Sequence, residues 1–258
     1  MGRVITSRGA CKAFLDDIAG FASSYNLDAC ELVALEAMSA DLSRLMLSFV
    51  NKRQGTLRQA SHRTLAMLNE GAGSLVEEFT DLYPPLELVQ DDQNAFGEYL
   101  IVRTAQLAPA VPFGTMVAEM ARAEHLYNRA FWMTTASVSS IEMLVPSQNE
   151  PFDPDRPIRL HKTVGLDDFG WDLRALHRYD PISIAALSPD PCVLLFHHTG
   201  EPNGNRVIRL KWGSARALKA IRDHGPISAR AACDGLAIVD QVLGVIARLQ
   251  AQRVVEPA

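Results

Sequence analysis

The histidines and cysteines are the residues of this chain that could bind a metal ion or act as nucleophiles, and their spacing supports neither role. Two histidines that share one ion on a helix stand three or four residues apart, and no two of the seven histidines have that spacing. His197 and His198 are neighbours on a predicted strand, so their side chains point to opposite faces. We therefore expect no metal site in this chain.

Nucleophilic and phosphate-binding motifs are also missing from the sequence. It contains no G-x-S-x-G, no C-x-x-C and no glycine-rich phosphate loop of either common type. Four scattered cysteines lie among apolar or helix-forming neighbours, as buried thiols do in a reducing cytoplasm: Cys11, Cys30, Cys192 and Cys233. We expect no catalytic residue and no cofactor in this chain, and a cytoplasmic location.

Basic residues on a predicted β-hairpin offer binding chemistry instead. Two apolar, strand-like runs between residues 192 and 212 flank a turn rich in glycine, proline and asparagine. Because side chains alternate across a strand, Val207, Arg209 and Lys211 share one face. An open edge strand can accept an extended peptide, so we predict that these three residues bind a peptide and that the two cations favour an acidic one. The alternative interpretation is that they form the solvated face of a half-buried strand.

The elements that position this hairpin begin with a helical region. Apolar residues recur at helical spacing up to about residue 134, and glycine and proline mark the ends of the runs. The predicted helices lie at 32–49 (ended by Gly55), 57–69, 74–83, 91–107 and 113–134. Short strands are expected at 137–145 and 158–164 around a proline-rich loop, and 165–191 is expected to be irregular. After the hairpin, helices are predicted at 214–223, 227–233 and 236–250.

This succession predicts an α+β fold with three parts. Residues 1–140 form a helical domain, 141–187 an irregular connecting segment with short strands, and 188–258 a module built from a β-hairpin and helices. The formal net charge of −5 disfavours general attraction to nucleic acid. No apolar stretch of 18 residues occurs, so no membrane association is expected.

Two stretches of the chain resemble a known group of proteins. One runs from residue 75 to 85 and on through 116–131, with the segment Ala121-Arg122-Ala123-Glu124, and the other covers 193–230, with the turn His224-Gly225-Pro226. Both are similar to the accessory subunits encoded beside multinuclear non-haem iron oxidases that modify cysteines in ribosomally made peptides. Methanobactin and thiaglutamate biosynthesis each use such a pair of subunits.

The resemblance implies a role for each part of the chain. The helical domain would dock on the iron-containing oxidase subunit to give a heterodimer, and the matching helix places Arg122, Glu124 and His125 at the partner interface. The module at 188–258 would resemble the winged-helix-like elements that recognise leader peptides, where the leader adds a strand to a sheet. The chain would then be a non-catalytic subunit that presents a precursor peptide for cysteine modification, and the iron would belong to its partner.

A DNA-binding transcriptional regulator is the alternative function. Its winged-helix-like module would read DNA with a basic recognition helix, and the best candidate carries Arg216, Lys219 and Arg222 at successive i+3 steps. The later helices are poor in cations and the chain is acidic overall, which favours the peptide over nucleic acid as the partner. A scaffold without a small partner is the third option.

Overall fold

The computed structural model describes residues 8–136, 151–199 and 204–258. Over these ranges the chain is a mixed α+β protein, which confirms the predicted fold class. It divides into two compact units, Met1–Ala121 and Arg122–Ala258. The domain limits at residues 140 and 188 stay predictions, and the strand predicted at 137–145 lies outside the described residues.

The first unit is helical. Its helices are α1 (Arg8–Asp16), α2 (Ile18–Ser24), α3 (Ala29–Ala37), α4 (Ser39–Ala60), α5 (His62–Leu68), α6 (Ala72–Leu82) and α7 (Val89–Leu107), and α8 (Gly114–Ala136) begins in this unit and continues into the second. Asp28 starts α3 with a capping box, since its carboxylate accepts from the Glu31 N–H while the Glu31 carboxylate accepts from the Asp28 N–H. None of the described helices offers an apolar length that could cross a membrane.

Gly55 does not end a helix, contrary to the sequence prediction. Helix α4 continues through it to Ala60, because residues on both sides of the glycine are anchored in the core: Arg53, Gln54 and Leu57 are buried. A glycine inside a helix reduces stability by only about 1 kcal/mol relative to alanine. The burial of one leucine side chain contributes more than this to stability.

A buried ion pair joins α4 to α7. The Nε and Nη2 atoms of Arg53 each donate to one carboxylate oxygen of Asp92, both at 2.8 Å. The same guanidinium donates from Nη1 to the Tyr83 carbonyl oxygen at 2.9 Å and lies 5.5 Å from the ring centroid of Phe79. Both ionic side chains are less than a tenth exposed, so the pair is enclosed by the same apolar side chains that form the core of this unit.

The second unit contains two antiparallel three-stranded sheets. In the first sheet, β1 (Pro157–Leu160) lies between β5 (Ile227–Ser228) and β6 (Val255–Pro257). The helix predicted to start at Ile227 is therefore wrong over its first two residues. Ser228 instead ends the strand and caps the short helix α11 (Ala229–Ala232) by accepting from the Ala231 N–H.

The second sheet contains the predicted hairpin and one unpredicted strand. Its order is β2 (Gly165–Phe169), β3 (Cys192–His198), β4 (Asn205–Leu210), with β3 in the centre. The expectation that 165–191 is irregular is wrong for β2, and a small helix, α9 (Pro181–Ala185), lies in the same range. The hairpin is thus part of a three-stranded sheet, not a two-stranded one.

Helices cover this sheet on both faces. On one face, strand residues such as Leu195 and Ile208 pack with Leu218 of α10 (Trp212–His224) and Ile246 of α12 (Val239–Ala251) in a single apolar cluster. On the other face α8 lies so close to β2 that a Cβ on Gly165 would stand 3.0 Å from the Leu126 side chain. The absence of a side chain at Gly165 therefore allows this close packing.

Candidate functional site

The register of the hairpin determines which backbone groups of β4 point outward. The Thr199 N–H donates to the Gly204 carbonyl oxygen at 3.0 Å, so these two residues form a hydrogen-bonded pair. Such pairs alternate with non-hydrogen-bonded ones along an antiparallel ladder, and Phe196 is opposite Val207 while Leu194 is opposite Arg209. The N–H and C=O groups of residues 205, 207 and 209 therefore point away from β3. We call this row of groups the β4 edge.

The opposite edge of the sheet is covered by two arginines. The same alternation leaves the carbonyl groups of Leu166 and Asp168 in β2 pointing outward. Nη1 of Arg222 donates to the Leu166 carbonyl oxygen at 2.9 Å, and Nη2 of Arg122 donates to that of Asp168 at 3.0 Å. Charged side chains that occupy the outward backbone groups of an edge strand block the addition of another strand.

In the part of the chain that the structure describes, the β4 edge has such cover only at residue 205. Within the described residues, no hydrogen bond engages the backbone N–H or C=O of Val207 or Arg209. At its far end, the carbonyl oxygen of Asn205 accepts from Nη1 of Arg206 at 3.1 Å. The edge is thus open over the half of β4 that leads toward α10, and an extended chain could pair there.

The predicted peptide-binding residues lie in three different environments. Arg209 does not simply face water: its Nη2 donates to Asp190 at 2.7 Å and its Nη1 contacts Asp172 at 3.3 Å. The hydrogen bonds to Asp190 raise the pKa of Arg209 and lower the pKa of the Asp190 carboxyl. Lys211 is exposed and Val207 is half-buried. The alternative interpretation, a simply solvated face, does not hold for Arg209, because carboxylates from the 165–191 segment hold its side chain.

A cavity of about 920 Å³ lies where the β4 edge ends. Strand ends and the first turns of α10 form its walls, which are lined by Asp168, Arg174, Pro191, Cys192, Val193, Arg209, Leu210, Lys211, Trp212, Ala215, Arg216 and Lys219. Five of these residues are basic and one is acidic. Burial raises the pKa of the Cys192 thiol, so this cysteine is not activated as a nucleophile.

Three of the cations in the cavity wall are neutralised and two are not. Arg174 binds Asp172 at 2.7 Å, Arg209 binds Asp190, and Lys219 binds Asp168 at 2.6 Å. Among the residues that the structure describes, the remaining two have no carboxylate partner; they are Lys211 and Arg216. Arg216 donates from Nη2 to the Asp234 backbone carbonyl at 3.5 Å, which leaves its charge, like that of Lys211, without a neutralising carboxylate in the described residues.

The sequence does not predict Trp212 as a site residue, and it predicts Arg216 only as part of a DNA-recognition helix. Trp212, the last residue of the predicted strand-like runs, is 69% exposed. It starts α10 instead, and the Arg216 guanidinium carbon lies 5.6 Å from its ring centroid. The i, i+4 spacing of tryptophan and arginine on a helix predicts this contact, but the sequence prediction began the helix two residues later, at Ser214.

The predicted partner-interface residues lie on the part of α8 that belongs to the second unit. Arg122 covers the β2 edge, binds Asp167 at 2.9 Å and lies 5.2 Å from the Phe169 ring centroid. Glu124 is only 4% exposed, and His125 is half-buried. A direct contact of the Glu124 carboxylate with another protein requires a change in its surroundings. The interface assignment stays a prediction.

The histidines of the hairpin lie on opposite faces of β3, as the alternation predicts. His197 is 3% exposed, and neither of its ring nitrogens has a hydrogen-bond partner within the described part of the chain. Burial lowers the pKa of both His197 and His198, which favours the neutral form of each ring. Among residues 8–136, 151–199 and 204–258, no three histidine, cysteine or acidic side chains come together as they would around a metal ion.

Comparisons with known proteins give no match, either to a protein-family model or to a curated protein. The function of this chain is therefore inferred from the β4 edge and the cavity, together with the resemblance in residues 75–85, 116–131 and 193–230.

Proposed function

We propose that this chain is a non-catalytic, cytoplasmic recognition subunit that binds an extended precursor peptide along the β4 edge and presents it to an iron-dependent oxidase for modification of its cysteines. The observation that carries the proposal is the difference between the two edges of one small sheet. Arginines occupy the outward carbonyls of β2, while the outward groups of β4 are open from Val207 to Arg209.

Pairing with a peptide would use the backbone of β4. Val207 and Arg209 together offer two N–H and two C=O groups, which are enough for four hydrogen bonds to an added strand. Each contributes about 1 kcal/mol net, so the backbone gives modest affinity and the side chains must provide selectivity. Asp190 and Asp172 hold the Arg209 side chain and so keep the end of the strand in place, which lowers the entropy cost of binding.

The same contacts weaken the alternative that the module reads DNA. Of the three basic residues proposed for a recognition helix, Lys219 binds Asp168 and Arg222 binds Asp223 at 2.7 Å as well as the Leu166 carbonyl. Cations paired in this way release less binding energy at a phosphate backbone, because each must first give up its carboxylate. A peptide that binds along the β4 edge would leave the ion pairs of Lys219 and Arg222 intact.

The helical unit supports the proposal of a protein partner. Helix α3 has no buried residue, and Val33 on it is 65% exposed. Leu45 and Phe49, four residues apart on α4, are 51% and 46% exposed. Leu45 and Phe49 are neighbours on the helix surface, and adjacent exposed apolar side chains are typical of surfaces that bind another protein. The resemblance implies an iron oxidase subunit as that partner.

Co-purification tests the proposed complex. The chain is expressed with the products of its neighbouring genes, and the complex is analysed by size exclusion, mass spectrometry and iron content. We expect a one-to-one heterodimer whose iron stays with the partner. A Leu45→Glu, Phe49→Glu variant should lose the complex, while Lys52→Glu, an exposed charge reversal on the same helix, should keep it. A chain that elutes alone, or that retains DNA, would contradict the proposal.

Strand addition has its own signature in a peptide titration. The probe is the leader segment of the precursor encoded beside the gene, synthesised with an N-methyl group at one position at a time. In an added strand only every second N–H faces β4, so we expect the loss of affinity to alternate along the peptide. Equal effects at consecutive positions would refute strand addition.

A further inference from the structure

We propose that the cavity at the end of the β4 edge is an anchor site for an acidic residue of the bound chain, and that it selects peptides with glutamate or aspartate next to their strand-forming segment. This inference rests on the proposed function for the identity of the peptide, but the cavity itself is defined by the side chains that line it.

The edge and the cavity are continuous. Arg209, Leu210 and Lys211 line the cavity, and Arg209 is also the last residue of the open edge. Lys211 keeps an extended backbone, with φ −72° and ψ 151°, before α10 starts. A peptide paired with Val207 and Arg209 would therefore reach the cavity one or two residues beyond its last hydrogen bond.

Charge decides what the cavity accepts. Lys211 and Arg216 are without a carboxylate partner among the described residues, whereas the single acidic wall residue, Asp168, is bound to Lys219. A carboxylate that reaches Lys211 or Arg216 gains a charge-assisted contact without breaking an existing ion pair. A cationic side chain would gain none and would be repelled.

Trp212 gives the cavity an apolar wall beside these charges. Its ring is mostly exposed, and Arg216 lies against it rather than against a carboxylate. Contact with the methylene groups of a glutamate would cover part of this ring, and excluding water would strengthen the attraction between the carboxylate and the guanidinium. Tryptophan and arginine are enriched among the residues that contribute most to binding at protein interfaces.

The test uses a synthetic peptide that does not depend on the natural precursor. A capped peptide of alternating valine and threonine carries two glutamates at each end, and its counterpart carries glutamines; binding is followed by fluorescence anisotropy of a label. We expect the glutamate peptide to bind at least about fivefold more tightly at low salt. The Lys211→Glu, Arg216→Glu variant should abolish this preference. Arg248→Glu, an exposed charge reversal on α12, should keep it.

The outcomes separate the anchor site from the proposed function. Equal affinity of the wild-type chain for both peptides, no binding of the glutamate peptide, or a preference that survives in the double variant would overturn the anchor site. If the natural leader binds the wild-type chain and the double variant equally well, the anchor site is wrong and the proposed function stands. If the glutamate peptide behaves as expected but the leader does not bind, the proposed function is wrong and the anchor site stands.

Discussion

Proline substitution at two adjacent residues of β4 tests the orientation of its backbone. The N–H of Val207 points outward and has no partner in the described chain, whereas residue 208 bonds to β3 opposite Leu195. Val207→Pro therefore removes no ladder hydrogen bond, and we expect it to lower the free energy of unfolding by about 1 kcal/mol or less, as at an edge strand. Ile208→Pro removes an inward N–H and a side chain packed on the core, and should cost about 3 kcal/mol or more.

Urea denaturation followed by circular dichroism measures the free energy of unfolding of both variants, and a titration with the leader peptide measures binding at the β4 edge. We expect Val207→Pro to fold and to bind the leader at least about tenfold more weakly. The proline ring removes the N–H that would donate to a peptide carbonyl, and it also hinders the approach of the peptide. Val207→Thr is the matched control, since it keeps the N–H and the branched shape. If Val207→Pro destabilises the chain as much as Ile208→Pro, the assignment of outward groups is wrong; if it folds and binds normally, the edge is not the binding surface.

Three other perturbations follow from contacts within each unit. Asp92→Asn leaves the buried Arg53 guanidinium without its counter-charge and should lower the free energy of unfolding by about 3–5 kcal/mol; a urea midpoint within error of the wild type would contradict this. Burial lowers the pKa of His197 in the folded chain, so the unfolded chain binds more protons below about pH 6.5. The free energy of unfolding should therefore decrease as the pH is lowered through this range, by at most about 1.4 kcal/mol per pH unit for this group. His197→Leu should flatten that dependence in urea titrations at pH 7.5 and 5.5, and an unchanged slope would refute it. Arg222→Ala frees the Leu166 carbonyl at the β2 edge, and elution on size exclusion should become concentration-dependent; elution like that of the wild type at all concentrations would show that the cap is not what protects this edge.

The sequence pattern predicted the elements that are marked by residues close to one another in the chain. Helices α7 and α8 and strands β3 and β4 lie within a few residues of their predicted limits, because a regular apolar period or a glycine-rich turn marks each of them. Strand β2 could not be predicted in this way. Its centre holds two adjacent aspartates, which disfavour strands, and they are accommodated only because Arg122 and Lys219 bind them from residues far away in the sequence.

The candidate site was predictable only in part, for a similar reason. Alternation along β4 correctly grouped Val207 with Arg209, and their backbone groups do share the open edge. It could not show that Asp190 would hold the Arg209 side chain, since that contact depends on the path of an irregular segment. The cavity was missed because it forms between the end of a strand and the start of a helix, and no periodic pattern covers that junction.

The contrast between the two sheet edges argues for an occupant of β4. An uncovered edge strand can pair with other chains. The β2 edge is covered, because Arg122 and Arg222, from two helices distant in sequence, each donate to one of its outward carbonyls. At β4, Arg206 donates to the outward carbonyl of Asn205, whereas the Arg209 side chain is held by Asp190 and Asp172 and leaves the backbone groups of Val207 and Arg209 open. An edge kept open in this way, beside two cavity cations without a carboxylate partner in the described residues, is the arrangement that the proposed binding of a negatively charged strand requires.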